Sequence, residues 1–211
     1  MKINKYLCAL AIAGASTVPL SAATLLDNTS AGISVSNAVS FDSDDSVALL
    51  FSTGSTAYDL RSIEFAINSV INETGSITLS LYSGATPSGT AVASQTFSGI
   101  SFTSTPTALT KNLSDAFAVA ANSNYTLLLA TSVSFGRLCS TTTGANLSGG
   151  TSGLTYLGRK LPSRGASWVG PFTSGTPYMK LTDTVAVPEP SAFSLLAIGL
   201  GGLAILRRRL S

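Results

Sequence analysis

The chain has 211 residues and a formal net charge of +2; charged residues make up 10% of it, and it contains no histidine. The lack of histidine excludes a Ser-His-Asp or Cys-His nucleophile system and every zinc site that needs a histidine ligand. The central segment 24–186 keeps 7 of the 12 basic and 9 of the 10 acidic residues, so its charge is about −2. That balance disfavours nucleic acid as a partner.

The first 23 residues have the three parts of a secretory signal peptide. Lys2 and Lys5 precede an apolar run over residues 6–15, and small residues follow at 21–23. This pattern predicts cleavage between Ala23 and Thr24, with a cut one residue earlier as the alternative. The segment 24–186 is therefore expected to be one exported domain of ordinary size.

Cleavage at this point would remove Cys8 and leave Cys139 as the remaining cysteine of the sequence. No intramolecular disulfide could then form, so a hydrophobic core alone would have to hold an exported domain together. We expect Cys139 to be a buried thiol, with a reactive or intermolecular cysteine as the less favoured alternative.

Short apolar-alternating segments separated by Gly, Ser, Thr, Asn and Pro run through the central region. Ile77, Leu79 and Leu81 alternate with polar neighbours over residues 76–82, which predicts a half-buried strand. Residues 61–67 show the same alternation, and with a turn at 72–75 the two strands are expected to pair or lie close. Residues 47–51 and 125–130 are more continuously apolar, as in central strands covered on both faces. Weaker strand candidates are 33–39, 91–97, 116–120, 153–157 and 177–182.

No segment of the central region keeps a 3.6-residue apolar period, and turn signals are frequent. These features predict an all-β fold, an antiparallel β-sandwich or jelly roll.

Three closely spaced carboxylates, Asp42, Asp44 and Asp45, precede the strand at residue 47. Oxygen ligands at this spacing could hold calcium. The pattern of an EF-hand is missing, and we favour a charged, solvated loop. No other cofactor is predicted.

Other residue types give weak indications of chemistry. Glu64 and Glu73 are the only glutamates of segment 24–186, and both are expected to face solvent rather than to form the carboxylate pair of a glycosidase. Exposed aromatic residues could stack on sugars if they shared one face, although a lone tryptophan more often closes a core. The candidates are Tyr156, Trp168, Phe172 and Tyr178.

The last 25 residues have a composition of their own. Pro188, Glu189 and Pro190 are followed by an uncharged, largely apolar run over residues 191–206 and then by Arg207, Arg208 and Arg209. A helix over 191–206 would rise roughly 24 Å, somewhat short of the roughly 30 Å hydrocarbon core of a bilayer. The arginine cluster predicts a cytoplasmic end, with everything before Pro188 outside. A single C-terminal transmembrane helix is therefore predicted.

The order Pro-Glu-Pro, apolar helix and arginine cluster resembles the PEP-CTERM sorting signal of Gram-negative bacteria. The resemblance implies that the segment 187–211 is the substrate of an exosortase, a membrane-embedded cysteine transpeptidase. It implies that Pro188, Glu189 and Pro190 are a processing site and not a catalytic one. A plain membrane anchor is the alternative.

A second resemblance covers most of residues 24–185. The order of the segments 50–67, 77–83 and 120–129, followed by Trp168 and residues 177–181, is similar to the choice-of-anchor R domain. That resemblance implies a β-sandwich on a bacterial surface protein, with no defined activity. The stretch 137–165 departs from the family pattern, because Gly- and Thr-rich loops stand where a compact strand is expected.

Three functions are compatible with the sequence. The favoured one is a non-enzymatic surface or matrix protein that serves adhesion, biofilm or floc structure with an exopolysaccharide or another surface glycan as partner. The alternatives are a calcium- or carbohydrate-binding module and a hydrolase that works without histidine.

Overall fold

A computed structural model describes residues 23–142, 148–149, 154–162, 168–172 and 176–183. The predicted signal peptide up to residue 22 and the predicted sorting segment 187–211 lie outside these ranges. Within them, no helix is long and apolar enough to cross a membrane.

The described residues form antiparallel strands and one short 3₁₀ turn, Thr29–Ala31. The strands are β1 (Thr24–Asp27), β2 (Ile33–Ser40), β3 (Val47–Ser52), β4 (Tyr58–Ser69), β5 (Glu73–Ser83), β6 (Ala93–Phe102), β7 (Thr107–Val119), β8 (Asn124–Thr131), β9 (Gly136–Thr141), β10 (Ser148–Gly149), β11 (Thr155–Pro162), β12 (Trp168–Phe172) and β13 (Met179–Thr182).

The strands make two sheets. One has the order β10–β1–β13–β4–β9–β2, with β7 paired to the other edge of β4. The second has the order β12–β11–β3–β8–β5–β6. Apolar side chains from both sheets pack into one buried cluster. The predicted all-β antiparallel sandwich is confirmed.

Strand β4 is the centre of the first sheet. Its Phe65 pairs with Leu109 of β7 on one edge and with Met179 of β13 on the other. Beyond β13, the same edge of β4 pairs with β9, where Ile67 lies opposite Leu138. Strands β13 and β9 therefore follow each other along one side of β4, and β4 ties most of the sheet together.

The predicted alternation in β4 and β5 is confirmed. Ile63, Phe65 and Ile67 of β4 are buried, as are the three predicted residues of β5. The two strands do not pair: β5 pairs with β6 and β8 in the second sheet. Alternation shows which face of a strand is buried, but it does not show which strand lies beside it. Here the turn at 70–72 crosses from one sheet to the other.

The two strands predicted to be central are also confirmed. Strand β3 lies between β11 and β8, and each of its residues from Val47 to Phe51 is buried. Strand β8 lies between β3 and β5. Strands β1, β9, β10 and β12 were not predicted, and only the end of β7 lies in a predicted segment, 116–120. Strand β1 has only four residues, β12 contains Gly170 and Pro171, and β9 buries polar residues at 140 and 141.

The core gives the first testable prediction. Phe65 is fully buried between the sheets, whereas 53% of Phe135 is exposed. We expect Phe65→Ala to lower the free energy of unfolding by about 3–5 kcal/mol because it leaves a cavity, and Phe135→Ala to change it by about 0.5 kcal/mol or less. Urea denaturation of both variants measures the difference. Equal losses would contradict this description of the core.

Candidate functional site

The two ends of the described domain are bonded to each other. The backbone N–H of Ala23 donates to the Asp183 carboxylate at 2.8 Å, and the Asp183 N–H donates to the Ala23 carbonyl at 3.1 Å. Thr24 pairs with Thr182 in the adjoining ladder. Segments that precede residue 23 and follow residue 183 are therefore joined to the domain at neighbouring points.

The direction of β4 places this pair at one end of the sandwich. Thr182 lies opposite Ser62, and Met179 lies opposite Phe65, so β13 runs toward the Tyr58 end of β4. Ser69, where β4 ends, is at the opposite end. We call the first the terminal end and the second the loop end.

At the loop end, three large apolar side chains are exposed. The exposed fractions are 53% for Val70, 48% for Ile71 and 53% for Phe135. Their backbones are joined, because Ser69 Oγ donates to the Phe135 carbonyl at 2.8 Å and accepts from the Ile71 N–H at 3.3 Å. We call these three side chains the apolar tip.

Hydrogen bonds to Glu73 hold the backbone of the apolar tip in place. Its carboxylate accepts hydrogen bonds from the N–H groups of Ser134 at 2.9 Å and Phe135 at 3.0 Å, and from Ser69 Oγ at 3.3 Å. Glu73 was predicted to be a solvent-facing charge; it is half-buried at the surface, and its carboxylate also has these structural partners. The carboxylate joins the loop before β9 to the turn before β5.

Glu64 also has a partner. Its carboxylate accepts a hydrogen bond from the Tyr178 hydroxyl at 3.0 Å. Burial and the bond to Glu64 raise the pKa of Tyr178. The hydrogen bond therefore links Glu64 of β4 to the residue that precedes β13 in the first sheet.

The predicted calcium candidates form a tight turn at the loop end. Asp42 Oδ1 accepts hydrogen bonds from the N–H groups of Asp44 and Asp45, each at 3.0 Å. The part of the chain that the structure describes contains no group of three or more His, Cys, Asp or Glu residues that could hold a metal ion. Calcium binding by Asp42, Asp44 and Asp45 stays a prediction.

The four aromatic candidates do not form one platform. Trp168 and Phe172 lie at opposite ends of edge strand β12, where Trp168 is half-buried and 37% of Phe172 is exposed. Tyr178 is buried beside the first sheet. Tyr156 has a buried hydroxyl on β11, and burial raises its pKa. A sugar could not stack on all four at once.

Cys139 is the buried thiol that the sequence predicts. It packs with Ala66 and Tyr178 on the face of the first sheet away from the main core, and its Sγ donates to Asn68 Oδ1 at 3.5 Å. Burial raises the pKa of the thiol to about 11, although the nearby charge of Arg137 opposes the rise. A protonated, covered thiol is a poor nucleophile.

A cleft of about 480 Å³ opens at the terminal end, between β4 and β7 of one sheet and β8 of the other. The sequence analysis did not identify it. Its lining combines two tyrosines, one aspartate, one valine and three alanines: Ala57, Tyr58, Asp59, Ala118, Val119, Ala120 and Tyr125.

Residues 186–209 match the family model for the PEP-CTERM protein-sorting motif. The matched segment includes Pro188, Glu189 and Pro190 and the three arginines at 207–209. The motif implies export, processing by an exosortase and sorting to the surface. Comparison of the chain with curated proteins and with solved structures returns no match. The resemblance of residues 24–185 to the choice-of-anchor R domain stays a prediction.

The brace formed by Glu73 gives a second prediction. Glu73→Ala removes the acceptor of two surface N–H groups, which water can then reach, so we expect the free energy of unfolding to fall by about 0.5–1.5 kcal/mol. Amide hydrogen exchange at Ser134 and Phe135 should become faster. Asp115→Ala, at an exposed position on β7, is the matched control and should leave both measurements unchanged. Unchanged exchange in Glu73→Ala would show that the carboxylate does not hold the loop.

Cys139 gives a third prediction. At pH 8 the folded protein should react negligibly with iodoacetamide, and denaturant should make Cys139 fully reactive, because the buried thiol is protonated and covered. Mass spectrometry counts the label. Rapid labelling of the folded protein would contradict the burial.

The raised pKa of the Cys139 thiol predicts that stability depends on pH. The thiol has an ordinary pKa of 9.0 and a folded pKa of about 11. Below pH 9 it is protonated in both states and its contribution to stability is complete. Between pH 9 and 11 the unfolded state ionises first, so the free energy of unfolding falls as pH rises. Cys139→Ala should show a shallower fall over this interval.

Proposed function

We propose that this protein is a non-enzymatic surface or matrix protein, which an exosortase processes and which contributes to adhesion, biofilm or floc structure together with an exopolysaccharide. The observation that carries the proposal is the sorting motif at residues 186–209. It follows the exported domain after only a few residues, since β13 ends at Thr182.

The arrangement of the two ends supports this use of the motif. Ala23 and Asp183 are bonded at the terminal end, so the predicted signal peptide and the sorting segment both continue from that end. The apolar tip lies at the other end of β4.

A non-enzymatic role is supported by what the acidic residues do. The chain has no histidine, and among the described residues Glu64 and Glu73 are engaged by Tyr178 and by backbone N–H groups. Both carboxylates are hydrogen-bonded within the fold, which favours a structural role for them over that of a general acid or base. A structural role in a polysaccharide matrix needs no such group.

The proposal predicts a processed protein. Intact-mass spectrometry of the protein recovered from the native surface or matrix should give a species that begins near Thr24, ends near Pro190 or earlier and carries added mass. A strain without its exosortase should keep Leu210 and Ser211. Replacement of Pro188, Glu189 and Pro190 by alanine should act like the exosortase deletion, and replacement of Thr184 and Val185, outside the matched segment, should not.

Two results would overturn the proposal at different points. An intact tail in all strains would remove the exosortase from the pathway and leave a plainly anchored protein. Correct processing together with normal cell aggregation and matrix cohesion in a gene-deletion strain would remove the proposed role in adhesion and floc structure.

A further inference from the structure

We draw no further inference here: the strongest candidate, the apolar tip formed by the exposed side chains of Val70, Ile71 and Phe135 at the loop end of the sandwich, is an unpartnered apolar surface, and nothing among the described residues shows what covers it.

Discussion

Burial of the apolar faces of β4 and β5 between two sheets is the constraint on which the rest of the structure depends. The described domain has one cysteine, and it is a free, buried thiol, so no disulfide contributes to the stability of this exported fold. Phe65, Ile77 and Leu79 are almost fully buried in the shared core. Hydrophobic burial of this kind must offset the conformational entropy of long, hydroxyl-rich connections.

The direction of strand β4 also defines the two ends of the sandwich. Its first residues meet β7 beside the cleft, its middle pairs with β13, and its last residues pair with β9 before the apolar tip. Because β13 runs toward the start of β4, the bonded pair of Ala23 and Asp183 lies at the terminal end. The two ends of the sandwich are thus separated along the length of one strand.

The polar residues of this domain mostly serve structure. The carboxylates of Asp42 and Glu73 accept backbone hydrogen bonds that hold a turn and a loop in place. The side-chain amide of Asn28 donates to the carbonyl of residue 177 and accepts from the N–H of residue 179. Thr78 and Ser80 form hydroxyl pairs with β6 on the outer face of the second sheet. Asp59 differs from this group, since it is exposed on β4 and makes no hydrogen bond or ion pair among the described residues.

The sequence by itself determined the features that depend on neighbouring residues. The sorting motif is a contiguous segment, the buried faces of β4 and β5 follow from the spacing of apolar residues, and the central position of β3 and β8 follows from their continuous apolar runs. The buried state of Cys139 followed from composition. Each of these can be recognised without knowing what lies across the core.

Only the tertiary structure decided which strands became neighbours and which polar groups met. Glu73 and Phe135 are 62 positions apart, and Ser69 and Phe135 are 66 apart, so no local pattern predicts their contacts. Contacts between distant parts of the chain also explain three other features. They are the placement of β4 and β5 in different sheets, the burial of polar residues in β9, and the cleft between Tyr58 and Tyr125. Alternation specifies a buried face, whereas the choice of partner depends on the packing of the whole sandwich.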